Sequence, residues 1–134
     1  QDIVFDWDKM LSFEGNSAPY LQYTHARARS VITKAGEVSD PKQVESLTEK
    51  ERGLLNTLLK FEHVLKEART NNMPHILANF LFELCQSFNS FYNDTPILKA
   101  EEPTRTLRVY MTLLTADVLK TGAQLLTISV PDRM

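Results

Sequence analysis

Apolar residues recur at helical spacing along nearly the whole chain. Ile3, Val4, Trp7, Met10 and Leu11 follow an i, i+3/i+4, i+7 pattern, which predicts a first helix over residues 2–13. Phe13-Glu14-Gly15-Asn16 closes that segment. Ser17 stands as an N-cap and Pro19 suits a first turn, so a second helix is predicted to run to about Lys34 and stop at Gly36. Residues 36–46 collect Gly, Ser, Asp and Pro and predict a loop. Thr48 with Glu51 three residues on is a capping-box pattern. The helix it opens runs through Leu54, Leu55, Leu58 and Leu59, bends near Phe61-Glu62, and continues through Val64, Leu65 and Ala68 until Asn71-Asn72 and Pro74 break it. The most apolar helix follows over residues 74–91, with Leu77, Phe80, Leu81, Leu84, Phe88 and Phe91, and Tyr92 ends it before Asn93-Asp94. A loop over 93–104 holds Pro96 and Pro103. The last helix is predicted over 104–127, through Leu107, Tyr110, Leu114, Val118 and Leu125, and Pro131 prevents its extension. No stretch alternates apolar and polar residues, and there is no internal repeat. The prediction is an all-α bundle of about five helices packed by their apolar faces.

Composition narrows the function. The 134 residues suit one domain, expected to span 1–134, with 43% hydrophobic and 24% charged residues, ordinary for a folded globular chain. Fifteen basic against 17 acidic residues leave a net charge of −2. That excludes a globally basic nucleic-acid binder but not a local basic face. The lone cysteine, Cys85, excludes an intrachain disulfide and a cysteine-rich metal site. The four glycines are scattered and match no dinucleotide or phosphate-loop motif. No apolar run approaches the roughly 18 residues of a membrane span. The opening Gln1-Asp2, without Met or a basic-apolar leader, reads as a piece cut from a longer protein, and the cytosol is its expected compartment.

The predicted second helix carries the most chemistry. Tyr20, Tyr23 and Arg27 at i, i+3 and i+7 fall within about 60° of each other on one helix face. Residues 15–36 bear Arg27, Arg29 and Lys34 and no acid, whereas residues 1–14 bear Asp2, Asp6, Asp8 and Glu14 against Lys9. Aromatic rings with arginine on one face can stack unpaired bases and hold phosphates. Half-buried tyrosines with solvated arginines would give the same pattern. His25, His63 and His75 lack metal-ligand spacing, Cys85 lies on an apolar face, and no serine has a recognisable histidine and acid beside it. No nucleophile, metal or phosphate-loop arrangement composes a catalytic centre, so a free-standing enzyme ranks last among the readings. Tyr92 is placed so that its hydroxyl can face outwards.

Longer strings add a resemblance. Phe5-Asp6-Trp7-Asp8-Lys9-Met10-Leu11-Ser12-Phe13-Glu14-Gly15-Asn16 followed by Ala18-Pro19-Tyr20-Leu21-Gln22-Tyr23-Thr24-His25-Ala26-Arg27 resembles the C-terminal portion of arginyl-tRNA synthetases. So do Leu77-Ala78-Asn79-Phe80-Leu81-Phe82-Glu83-Leu84, Phe88-Asn89-Ser90-Phe91-Tyr92, and the ending Leu125-Leu126-Thr127-Ile128 with Pro131-Asp132-Arg133-Met134. The matches lie in order and cover nearly the whole chain. The resemblance implies an all-helical anticodon-binding domain of the class I synthetase type, following a catalytic domain that this chain lacks, with residues 1–14 at the junction. ATP and magnesium would act in that catalytic domain, no cofactor in this one, and the fragment alone would bind without aminoacylating. The implied partner is the anticodon stem-loop of arginine tRNA, with no membrane and a monomeric state. The implied RNA contacts are Tyr20, Tyr23, Arg27, Tyr92 and Met134, and the basic stretch adds Arg29. Bases would pack on the tyrosines, Arg27 and Arg29 would hold phosphates, and a pocket would take the central cytosine that arginine anticodons share. The chain departs from the family where Thr127 stands for a frequent Gly and Glu62 for a frequent Pro. A helical protein-interaction module without RNA binding is the alternative. Three or four phosphate contacts to single-stranded RNA predict a log–log salt slope near about −2 to −3, and an apolar protein interface predicts a much shallower one.

Overall fold

The most apolar stretch becomes the centre of the bundle. The computed structural model describes residues 18–126, 130, 132 and 133. Among them are five helices and no strand: α1 (Ala18–Ala35), α2 (Glu49–Leu59), α3 (Phe61–Thr70), α4 (Pro74–Asp94) and α5 (Thr104–Leu125). The predicted helix over 2–13, the Ser17 cap and Thr127 lie outside the described residues. α1 packs chiefly on α5, α2 and α3 pack on α4, and α4 also meets α1 and α5. Leu81, Leu84, Phe88 and Phe91 of α4 are fully buried, as their i, i+3/i+4 spacing requires. α1 buries Leu21, Thr24, His25, Ala28, Val31 and Ile32, one continuous stripe.

The punctuation works mostly as local chemistry dictates. Gly36 takes φ +79°, a left-handed conformation natural to glycine after a helix, and its N–H bonds to the Ile32 carbonyl at 3.2 Å. Thr48 and Glu51 form the full capping box at the start of α2. The expected bend near Phe61 is a break at Lys60, one residue earlier, so the predicted single helix is two. Thr57 Oγ1 bonds back to the Gly53 carbonyl at 3.0 Å, a contact that bends helices. Phe61 then stacks on Phe80 with ring centroids 5.7 Å apart, which turns the apolar face of α3 onto α4. Glu62, where the family often has proline, sits in the first turn of α3.

Two ends differ from expectation. α4 does not stop at Tyr92 but runs on to Asp94. Asn93 and Asp94 are exposed, and Asp94 pairs with Lys50 of α2 at 3.2 Å. The stop comes from Pro96, which forces the preceding Thr95 out of the helical region to φ −133°, ψ 121°. α5 ends at Leu125, short of the predicted 127.

Cys85 is a core residue. Burial pushes its thiol up to about 12, so it stays neutral near pH 7. α4 and α5 approach closely at Gly122, where an added Cβ would meet Leu81 Cδ2 at 2.6 Å. Leu81 has no room to retreat, so Gly122→Ala should cost about 1–3 kcal/mol by overpacking. Urea unfolding checks this, and the loss should be less than additive with that of Leu81→Ala, which empties the space.

Candidate nucleic-acid interface

Four of the residues singled out by sequence meet where α1 crosses the end of α4. Tyr20, Tyr23 and Arg27 share a face of α1, and Tyr92 comes up from the last turn of α4. The Arg27 guanidinium carbon lies 4.7 Å from the Tyr23 ring centroid and 4.4 Å from that of Tyr92, so the cation contacts both rings. Arg27 Nη2 donates to the Tyr23 hydroxyl at 2.5 Å and Nη1 to Asn89 Oδ1 at 2.8 Å. Arg27 is therefore not a free solvated arm. Its head is held, and N–H groups remain for a ligand, since guanidinium carries five.

Asn89 is the knot behind this arrangement. Its Nδ2 donates to the Tyr20 hydroxyl at 3.1 Å and to Thr24 Oγ1 at 2.9 Å, while Oδ1 accepts from Arg27. One buried amide thus ties α4 to three successive turns of α1. Tyr20 is half-buried and serves this network, whereas Tyr23 and Tyr92 are each 38% exposed and keep ring surface open. The Tyr92 ring also leans on Phe88 at 6.2 Å, which seats it on the core.

The two exposed rings stand at a groove of about 920 Å³. α1 contributes Ala26, Arg27, Val31 and Lys34 to its lining, and the segment after α4 contributes Thr95 to Lys99. Arg133 and Asp132 of the tail complete it. Four basic residues, Arg27, Lys34, Lys99 and Arg133, thus face one acid across an apolar floor. That combination suits a chain with flat bases and a charged backbone.

The structure does not bring every candidate here. Arg29 lies about 200° round the helix from Arg27, does not line the groove, and reaches towards Asp132 at 4.0 Å. Met134 lies outside the described residues. Lys34, noted in sequence only as part of the basic stretch 15–36, lines the groove, and Asn89, Lys99 and Arg133 belong to the site without having been singled out. For Asn89 a signal existed: it is a polar residue on the buried stripe of α4, where only a bonded amide is tolerated. Lys99 carried no local signal, because only the fold brings residues 34 and 99 to one groove.

A helical bundle that presents stacked aromatic and cationic side chains beside a basic groove defines a binding module for flat, anionic ligands. The model of the DALR anticodon binding domain family matches residues 21–134. The arginine–tRNA ligases of Mannheimia succiniciproducens and Vibrio parahaemolyticus are each 44% identical over 136 residues, 99% of this chain and 24% of theirs. The solved arginyl-tRNA synthetase of Thermus thermophilus superposes with a TM-score of 0.90 at 41% identity, covering 97% of this chain and 23% of that one. The chain thus spans about a quarter of the length of these relatives. It belongs to the DALR anticodon-binding domain family.

Proposed function

We propose that this chain is the anticodon-recognition domain of an arginine–tRNA ligase, binding the anticodon stem-loop of arginine tRNA. The observation that carries the reading is the Tyr23–Arg27–Tyr92 stack at the mouth of the basic groove. Tyrosine rings give a base a flat apolar surface, and an arginine plane against them keeps the stack rigid and positive. An unpaired anticodon base lies on the exposed ring surface, and Lys34, Lys99 and Arg133 follow the backbone along the groove. Arg27 orients both rings and offers its remaining N–H groups to the RNA. Tyr20 acts from behind, through Asn89. Arg29 and Met134 stay candidates for contacts outside the groove.

Charging with arginine takes place in a catalytic domain of the same protein, which residues 1–14 adjoin in this reading. Among the described residues, no three His, Cys, Asp or Glu side chains stand together to hold a metal ion. In this reading ATP and magnesium act in that catalytic domain, as in aminoacyl-tRNA synthetases generally, and the domain 1–134 binds without aminoacylating. No helix among the described residues is long and apolar enough to cross a membrane. The proposed setting is the cytosol, where tRNA is charged, and the proposed state is a monomer.

Binding of the chain to an arginine anticodon stem-loop, against the same loop with its central cytosine changed, tests the reading. Preference for cytosine is expected, with a discrimination of about 1–3 kcal/mol, roughly 5- to 150-fold, if the base is stacked and its edge is read. Failure to bind either RNA overturns the assignment.

A further inference from the structure

Arg105 and Arg108 stand on α5, outside the groove, yet both hold its wall. Arg105 Nε donates to the Leu98 carbonyl at 3.1 Å, and Arg108 Nη1 donates to the Pro96 carbonyl at 2.7 Å. Both carbonyls belong to the segment Thr95–Lys99 that lines the groove with α1. The Nε of Arg108 donates to Glu51 Oε2 at 2.8 Å. Glu51 is only 2% exposed, and its Oε1 accepts from the Thr48 N–H at 2.8 Å. The carboxylate is thus engaged at both oxygens and the guanidinium at two of its nitrogens. Neither arginine nor Glu51 lines the groove.

A connecting segment without such ties opens at little cost in free energy. Guanidinium donors have a fixed fork geometry, so a carbonyl bonded to one is tied to the helix that carries it. We propose that Arg108 and Arg105, with Glu51 orienting Arg108, are positioning residues for RNA binding: they set the Thr95–Lys99 segment, and Lys99 with it, against the nucleic acid without touching it. The inference rests on the groove being the RNA site. A role confined to holding α2 against α5 would leave the contribution of Lys99 unchanged when the arginine is removed.

A double-mutant cycle on RNA affinity separates the two. Lys99→Ala should weaken binding of the arginine anticodon stem-loop about tenfold in the otherwise unchanged chain, the scale of one charged contact. With Arg108→Gln already present, the same change should cost less than about twofold, because Lys99 is no longer presented. If Arg108→Gln does not fold at the assay temperature, Arg105→Gln takes its place with the same expectation, since it leaves the Glu51 pair intact. Equal losses from Lys99→Ala in both backgrounds overturn the proposal, as does no loss in the unchanged chain. An unchanged chain that fails to bind the stem-loop overturns the reading of the groove itself, a result distinct from additive losses in a chain that binds.

Discussion

Tyr92→Ala should lower affinity for the arginine anticodon stem-loop by roughly 5- to 150-fold, the value of about 1–3 kcal/mol for one stacked base. The ring is partly exposed and sits in the last turn of α4, so the fold should survive its loss. Arg27 should matter nearly as much, for a different reason. Its guanidinium contacts the rings of Tyr23 and Tyr92 and bonds to Asn89 and the Tyr23 hydroxyl. Arg27→Lys keeps the charge but cannot make forked bonds from a planar head, so the exchange is not conservative here. Affinity should fall about tenfold or more, as expected for losing a bond from a charged donor, while the salt dependence of binding stays nearly unchanged. Were Arg27 simply a phosphate contact, lysine would restore binding to near the original value. That rescue would remove the ring-orienting role, and filter binding across a salt series reads both quantities at once.

Arg108→Met should destabilise the fold by about 3–5 kcal/mol, because it strands the buried Glu51 carboxylate. Glu51→Gln in the same chain should recover part of the loss, since no charge is then left unpaired. The pH dependence follows from the carboxyl. Burial by itself raises its pKa, but the Thr48 amide and the Arg108 guanidinium outweigh burial and hold it below the usual carboxylate range. The stabilisation from Glu51 is therefore present above that range and disappears as pH falls through the lowered value. Without Arg108 two of the contributions that lower the pKa are gone, so Glu51 takes a proton at higher pH than in the unchanged chain, and the penalty of Arg108→Met shrinks on acidification. Urea unfolding of both proteins from pH 7 down to about pH 4 checks this, and a penalty that stayed constant would contradict it.

Helices were legible because each needs only its own apolar stripe and local punctuation. Gly36 and the Thr48–Glu51 box are chemistry within four residues, and both stand as the pattern requires. The Lys60 break was half visible: the apolar run hinted at a bend, but its position depends on Phe61 meeting Phe80, a contact between helices. The extension of α4 past Tyr92 is hidden in the sequence because the polar Asn93-Asp94 resembles a stop, whereas the steric effect of Pro96 sets the end. At the site, helical periodicity grouped Tyr20, Tyr23 and Arg27. It could not show that Arg27 also meets Tyr92, 65 positions away, or that Asn89 ties the group together. Glu51 was read as a cap alone, because its second partner, Arg108, lies on another helix.

The Asn89 knot has a consequence for how the groove takes up RNA. A free arginine side chain gives up about 1.5–2 kcal/mol of rotamer entropy when it is fixed. In this chain the Arg27 head is already held by Asn89 and Tyr23 and set against two rings before any ligand arrives. That loss of freedom is met during folding, so association need not bear it again.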